Sequence, residues 1–126
     1  MTRRILIIDD EDDIRELLQT SLEISTDWTI LTVASGQAGL DLARHQPIDA
    51  IILDMMMPGM DGLTTLEKLQ ADPATQEIPV VFLTAKTQTT GSHQYQTLGA
   101  KAVLSKLIEP LKFGDQLAEI LGWSEA

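Results

Sequence analysis

Four aliphatic runs in this chain end in a group that could do chemistry. Asp9-Asp10 follows Ile5 to Ile8, Asp54 follows Ala50-Ile51-Ile52-Leu53, Thr84 follows Pro79-Val80-Val81-Phe82-Leu83, and Lys106 follows Ala102 to Ser105. Three carboxylates brought together repel one another and would hold a hard divalent cation. Mg²⁺ suits a few carboxylates completed by water and a phosphate oxygen. Once the metal screens it, one carboxylate oxygen can attack phosphorus and give an aspartyl phosphate. Phosphoryl oxygens stay charged throughout such a transfer, so what remains is positioning and electrostatics. Lys106 can neutralise one of those oxygens and the Thr84 hydroxyl can donate to another. Neither G-x-G-x-x-G nor G-x-x-x-x-G-K-[ST] occurs in the chain, and this chemistry needs no glycine-rich cradle. Each residue alone has a plainer reading: a solvated helix start, a cap, a surface lysine. The set matters because all four groups fall at the same end of their strands.

The elements that would place them alternate. Ile5 to Ile8 is a continuous aliphatic run, the mark of a strand buried on both faces. Ile14, Leu17, Leu18 and Leu22 then share one helix face, with Asp12 and Asp13 in the first turn, where the helix dipole favours negative charge. A strand over about 28–33 follows, and Ser35 is placed to cap a helix running to about His45. Pro47 separates that helix from the third strand, and Pro58-Gly59 and Asp61-Gly62 mark a turn-rich loop. Leu63, Leu66 and Leu69 predict a helix ending near Asp72-Pro73, followed by the fourth strand. A helix over 88–98, poor in helix formers, precedes the fifth strand; Pro110 opens the last helix, with Phe113, Leu117, Ile120 and Leu121 inward and Gly122 as its stop. Strand and helix repeated five times predict an α/β fold, a parallel sheet covered on both faces and doubly wound by right-handed crossovers. In such sheets ligands bind outside the carboxyl ends of the strands, which is where the four groups fall.

Composition narrows the classes. Nineteen acidic residues against nine basic ones leave a net charge of −10, which repels phosphate backbones and argues against nucleic acid as a partner. The chain has no cysteine, so disulfide scaffolds, thiolate zinc sites and cysteine nucleophiles are excluded together. His45 and His93 stand far apart without ligand spacing. The basic start Met1-Thr-Arg-Arg4 leads into only four apolar residues, too few for a secretory signal, and no run approaches the roughly 18 apolar residues of a membrane helix. One soluble, cytoplasmic domain over residues 1–126, without an output domain or a membrane partner, is the expectation.

Taken together, Ile-Ile-Asp9-Asp10-Glu11, Leu-Asp54-Met-Met-Met-Pro58-Gly59-Met60-Asp61-Gly62, Leu-Thr84-Ala85 and Ser-Lys106 resemble the receiver domain of bacterial response regulators over nearly the whole chain. The resemblance implies a flavodoxin-like, doubly wound five-stranded parallel sheet of order 2-1-3-4-5 with five helices. It implies a stand-alone two-component regulator that takes a phosphoryl group from a histidine kinase or phosphotransfer protein. By position, Asp54 would be the acceptor, with Asp10 ligating Mg²⁺ directly and Asp9 acting mostly through metal-bound water. The Met56 backbone carbonyl would complete the metal set, Thr84 would bond the phosphoryl group, and Lys106 would pair with it. Output would be phosphorylation-dependent binding of a downstream protein, or a homodimer, through the fourth helix, fifth strand and fifth helix. Such a protein promotes only its own phosphorylation and dephosphorylation and is not an enzyme on an outside substrate.

The chain departs from that family in places. The usual Lys-Pro is Lys106-Leu107, and without proline a cis bond costs about 2.5–4 kcal/mol, so a trans bond and a different loop are predicted. The usual aromatic on the fifth strand is Val103, which has no ring to swing inward. Met56 and Lys86 flank the site as residues that would tune phosphoryl lifetime, Met56 by hindering hydrolytic water. Met55, Met56, Met57 and Met60 read as loop packing, since Mg²⁺ prefers oxygen. Leu107 and Val103 support an alternative: a receiver-fold interaction module that works without phosphorylation. A Mg²⁺ phosphatase lacks the second carboxylate where Met56 stands, and a flavin site lacks a phosphate loop after the first strand.

Overall fold

The computed structural model describes residues 2–57, 59–84 and 99–123. Strands β1 (Arg4–Ile8), β2 (Thr29–Val33), β3 (Ala50–Asp54), β4 (Val80–Thr84) and β5 (Ala102–Ser105) form one parallel sheet in the order β2-β1-β3-β4-β5. Among the described residues there are four helices: α1 (Asp12–Ser25), α2 (Gly36–His45), α3 (Gly62–Ala71) and α4 (Phe113–Leu121). The expected helix over 88–98 lies outside the described residues, as does Lys86.

Continuous aliphatic strands give the sheet two apolar faces, and each buries its own core. Ile5, Ile7, Ile52, Val81 and Leu83 point to one side, against Leu18 and Leu22 of α1 and Phe113 and Leu117 of α4. Leu6, Ile8, Ile51, Leu53, Val80 and Phe82 point to the other, against Leu40 of α2 and Leu66 and Leu69 of α3. Alternation along β1 therefore feeds both layers, and no residue from Ile5 to Ile8 is exposed. Glycine sets how closely α2 packs. A Cβ on Gly39 would lie 2.3 Å from Ile8 Cδ1, so the side chain of β1 fills the space that any larger residue would need.

Helix ends follow the capping residues. Ser35 Oγ accepts from the Ala38 N–H at 3.1 Å and Asp61 Oδ1 from the Thr64 N–H at 2.9 Å. Gly122 closes α4 in the left-handed region, at φ 72°. Two local expectations are corrected. Leu17 is 40% exposed rather than inward, because Leu18 and Leu22 already fill the α1 contact with the sheet. Pro110 does not open α4; the Lys112 and Phe113 N–H groups both turn back to the Glu109 carbonyl, and the helix starts at Phe113.

The amino ends of the strands are tied by Arg4. Its N–H donates to Asp49 Oδ2 at 2.7 Å, its Nε to the Pro47 carbonyl at 2.7 Å, and its Nη2 to Gln46 Oε1 at 2.9 Å. Nearby, Trp28 and Trp123 meet edge to face with ring centroids 5.1 Å apart, and the Arg3 guanidinium lies 4.5 Å from the centre of the Trp123 ring.

Candidate functional site

Parallel strands starting from one edge must end at the other, and their register brings the expected groups together. Asp54 pairs with Leu83, and Thr84 pairs with Ser105, the residue before Lys106. Backbone bonds fix the loops at this edge: Asp9 N–H to Val33 O at 3.2 Å, Met55 N–H to Leu83 O at 3.0 Å, and Lys106 N–H to Thr84 O at 2.8 Å. Arg15 reaches back from α1 and donates through Nη1 to the Asp9 carbonyl at 2.7 Å. Gly62 admits the start of α3, since a Cβ there would lie 2.5 Å from the Asp54 carbonyl oxygen. The acceptor candidate thus sits between a strand end and a helix that cannot be moved closer.

At the centre is the Lys106 ammonium. Its Nζ lies 2.8 Å from Glu11 Oε1, 3.1 Å from Asp54 Oδ1 and 3.3 Å from Asp9 Oδ2. Asp9 and Asp54 are buried, and the Lys106 side chain is only 8% exposed. Asp54 Oδ1 also accepts the Met56 N–H at 3.1 Å. The other oxygen, Asp54 Oδ2, and Asp9 Oδ2 are buried without a hydrogen-bond partner. Burial raises the Asp54 pKa to about 6, against the lowering effect of Lys106 and the Met56 N–H. Burial alone would lower the Lys106 pKa, but the bonds to Glu11 and Asp54 raise it overall, so the ammonium stays charged.

Among the described residues, two buried carboxylates and a third at the mouth share a single ammonium, and two of their oxygens lack a hydrogen bond. That imbalance favours a cation, and an all-oxygen donor set suits a hard divalent ion such as Mg²⁺. Among the described residues, the carboxylates with ligand oxygens all within 4.8 Å of one another belong to Asp9, Glu11 and Asp54. Asp10 is half-buried at the same edge and is not in that set.

Sequence reading assigned Glu11 no role, although the signal was present. Residues two apart on extended backbone face the same side, and Glu11 is extended at φ −88°, ψ 114°. Its carboxylate therefore turns with that of Asp9, and its N–H donates to Asp9 Oδ1 at 2.9 Å.

The proline-free loop behaves partly as expected. No cis peptide occurs among the described residues, so the bond from Lys106 to Leu107 is trans. The Leu107 N–H, which a proline would lack, donates to Ser105 Oγ at 3.0 Å. Lys106 nevertheless reaches the carboxylates, so the proline is dispensable for its placement here. Loop packing holds for buried Met57 and for Met55 and Met60, which pack partly against the core. Met56 differs: with its N–H turned to Asp54, its side chain is 74% exposed.

The model of the response regulator receiver domain family matches residues 5–118. This chain belongs to that family. As a receiver it is similar to the response regulator Rre1 of Synechocystis, with 39% identity over 106 residues, 84% of this chain and 46% of that protein. It is also similar to the response regulator PleD of Caulobacter vibrioides, with 38% identity over 109 residues, 86% of this chain and 24% of that protein. The receiver thus spans less than half the length of either relative. A structure of a putative response regulator from Chloroflexus aurantiacus superposes with a TM-score of 0.87 at 29% identity, covering 97% of this chain and 99% of that one. The chemotaxis protein CheY4 of Vibrio cholerae shares the fold, with a TM-score of 0.86 at 24% identity over 95% of this chain and 99% of that one. No described helix of the receiver is long and apolar enough to cross a membrane.

Proposed function

We propose that this receiver is a two-component phosphorylation switch whose acceptor is Asp54. The observation that carries the reading is the buried Asp54 carboxylate, with Lys106 Nζ 3.1 Å from Oδ1 and Oδ2 left without a partner. Oδ2 supplies the lone pair that forms the new O–P bond. The P–N bond to the donor histidine breaks, and its electron pair returns to the imidazole nitrogen. Lys106 turns its ammonium to a phosphoryl oxygen, and Thr84, at the end of the neighbouring strand, bonds a second. Asp9, Asp10, Asp54 and the Met56 carbonyl would hold Mg²⁺, which when bound offsets the charge of the carboxylates and the phosphoryl oxygens. The donor is a histidine kinase or phosphotransfer protein of the cytoplasm, and the output is binding of a downstream protein. No turnover of an outside substrate is involved.

Intact-protein mass after incubation with Mg²⁺ and acetyl phosphate tests this directly. One added phosphoryl group, absent from Asp54→Asn and lost with chelator, is expected. A folded protein that gains no adduct from acetyl phosphate or from a phosphorylated histidine donor would overturn the proposal and leave a phosphate-independent binding module.

A further inference from the structure

The shortest contact of the Lys106 ammonium is to the carboxylate that the transfer does not use. Glu11 Oε1 lies 2.8 Å from Nζ, closer than Asp54 Oδ1 at 3.1 Å or Asp9 Oδ2 at 3.3 Å. The three carboxylates also differ in freedom. Asp9 and Asp54 have side chains only 1% exposed and fixed at strand ends, whereas the Glu11 side chain is 58% exposed on a flexible stem. An exposed carboxylate can return to water at little cost, but a buried one that loses its cation cannot. By drawing the ammonium toward the mouth, Glu11 also accounts for the buried Asp54 Oδ2 that has no partner and for the longer 3.3 Å ion pair to Asp9 Oδ2, which falls short of a hydrogen bond.

We infer that Glu11 is a positioning residue that holds the Lys106 ammonium at the mouth of the site and releases it when a phosphoryl oxygen arrives at Asp54. The inference rests on Asp54 being the acceptor, and it makes the residue after the acidic pair a determinant of how readily the switch closes. Glu11 competes with the phosphoryl group for the same donor. Removing its charge therefore strengthens the closed state, the opposite of what loss of a metal ligand would do.

Two measurements decide it. In the metal-free protein, a slowly exchanging Lys106 ammonium signal in ¹H–¹⁵N NMR is expected for the wild type and its loss or shift for Glu11→Gln. With saturating Mg²⁺, beryllofluoride as a stand-in for the phosphoryl group should bind Glu11→Gln roughly threefold more tightly than the wild type, the scale of a half-exposed ion pair. Asp13→Asn removes the same charge from the exposed first turn of α1 and should change affinity much less. Equal gains in the two variants would reduce Glu11 to a general charge effect and overturn the inference. So would weaker binding by Glu11→Gln, which would make it a metal ligand, or an unchanged Lys106 signal. Failure of the wild type to bind beryllofluoride at all would instead sink the acceptor reading, and this inference with it.

Discussion

The two ends of one sheet are built on opposite terms. At the amino ends of the strands, Arg4 donates to a carboxylate, a carbonyl and an amide within residues 46–49 and accepts from the Asp49 N–H, and the tryptophan pair closes over the neighbouring core. At the carboxyl ends, two buried carboxylates share one ammonium among the described residues and leave two oxygens without a hydrogen bond. The contrast shows where stability is made and where it is given up. A parallel sheet holds both ends in fixed relation, so a well-bonded edge can carry one whose groups are left short of partners.

The comparison can be broken hardest at Lys106. Lys106→Met removes the one cation that the described residues supply to two buried carboxylates and should destabilise the metal-free protein by about 3–5 kcal/mol in urea unfolding at neutral pH. Added Mg²⁺ should recover part of that loss by mass action. An unchanged midpoint would mean that the carboxylates are less isolated from water than their burial indicates.

A change of opposite sign is expected at Asp54. Its pKa is raised to about 6 in the folded state, above the ordinary 3.8, so the folded protein holds this proton more tightly than the unfolded chain does. The stabilisation from the proton is therefore complete below about pH 3.8 and is lost as pH rises to 6. Asp54→Asn escapes that loss and should be more stable than the wild type by about 1–3 kcal/mol at pH 7.5 without metal. The gap should close as pH falls through that window. Phosphoryl transfer in the wild type should weaken over the same descent, because a protonated Asp54 has no charge with which to attack.

At the other edge effects should be smaller and confined. Arg4→Ala gives up exposed bonds and should cost about 1 kcal/mol, with Mg²⁺ affinity unchanged. Any loss of affinity would show that the two ends are coupled more tightly than a rigid sheet implies. The smallest change concerns tryptophan emission. Trp28 and Trp123 pack at the end remote from the carboxylates, so Mg²⁺ should quench their fluorescence weakly; strong quenching would place a conformational change between the two ends.

Most of this architecture is legible in the residues. Continuous runs such as Ile5–Ile8 and Ala50–Leu53 can be buried only in a sheet covered on both sides, and the polar groups that follow them mark the working edge. Local chemistry placed the caps at Ser35 and Asp61 and the stop at Gly122. What periodicity could not resolve was competition for space. Leu17 has the right spacing for the core yet loses the contact to Leu18 and Leu22, and Pro110 has the right type for a helix start yet stands in a turn. Within the site, the structure brings together Asp9, Asp54 and Lys106 as residue type suggested, whereas Asp10 lies outside the carboxylate set and backbone direction selects Glu11, which composition alone left within an acidic run.

The Gly39 contact with Ile8 has an evolutionary consequence. Any side chain at position 39 must enter the volume that Ile8 Cδ1 already occupies, so the acceptable residue at each position depends on the other. A larger residue at 39 becomes available only after position 8 has been shortened, and shortening it first opens a void between sheet and helix. The two sites are then expected to drift as a pair, with Gly39→Ala tolerated beside Ile8→Ala, which removes both Cδ1 and the Cγ1 that a Cβ would meet at 2.8 Å, and selected against alone. One pair of packed atoms would thus restrict the order in which this receiver can accumulate change.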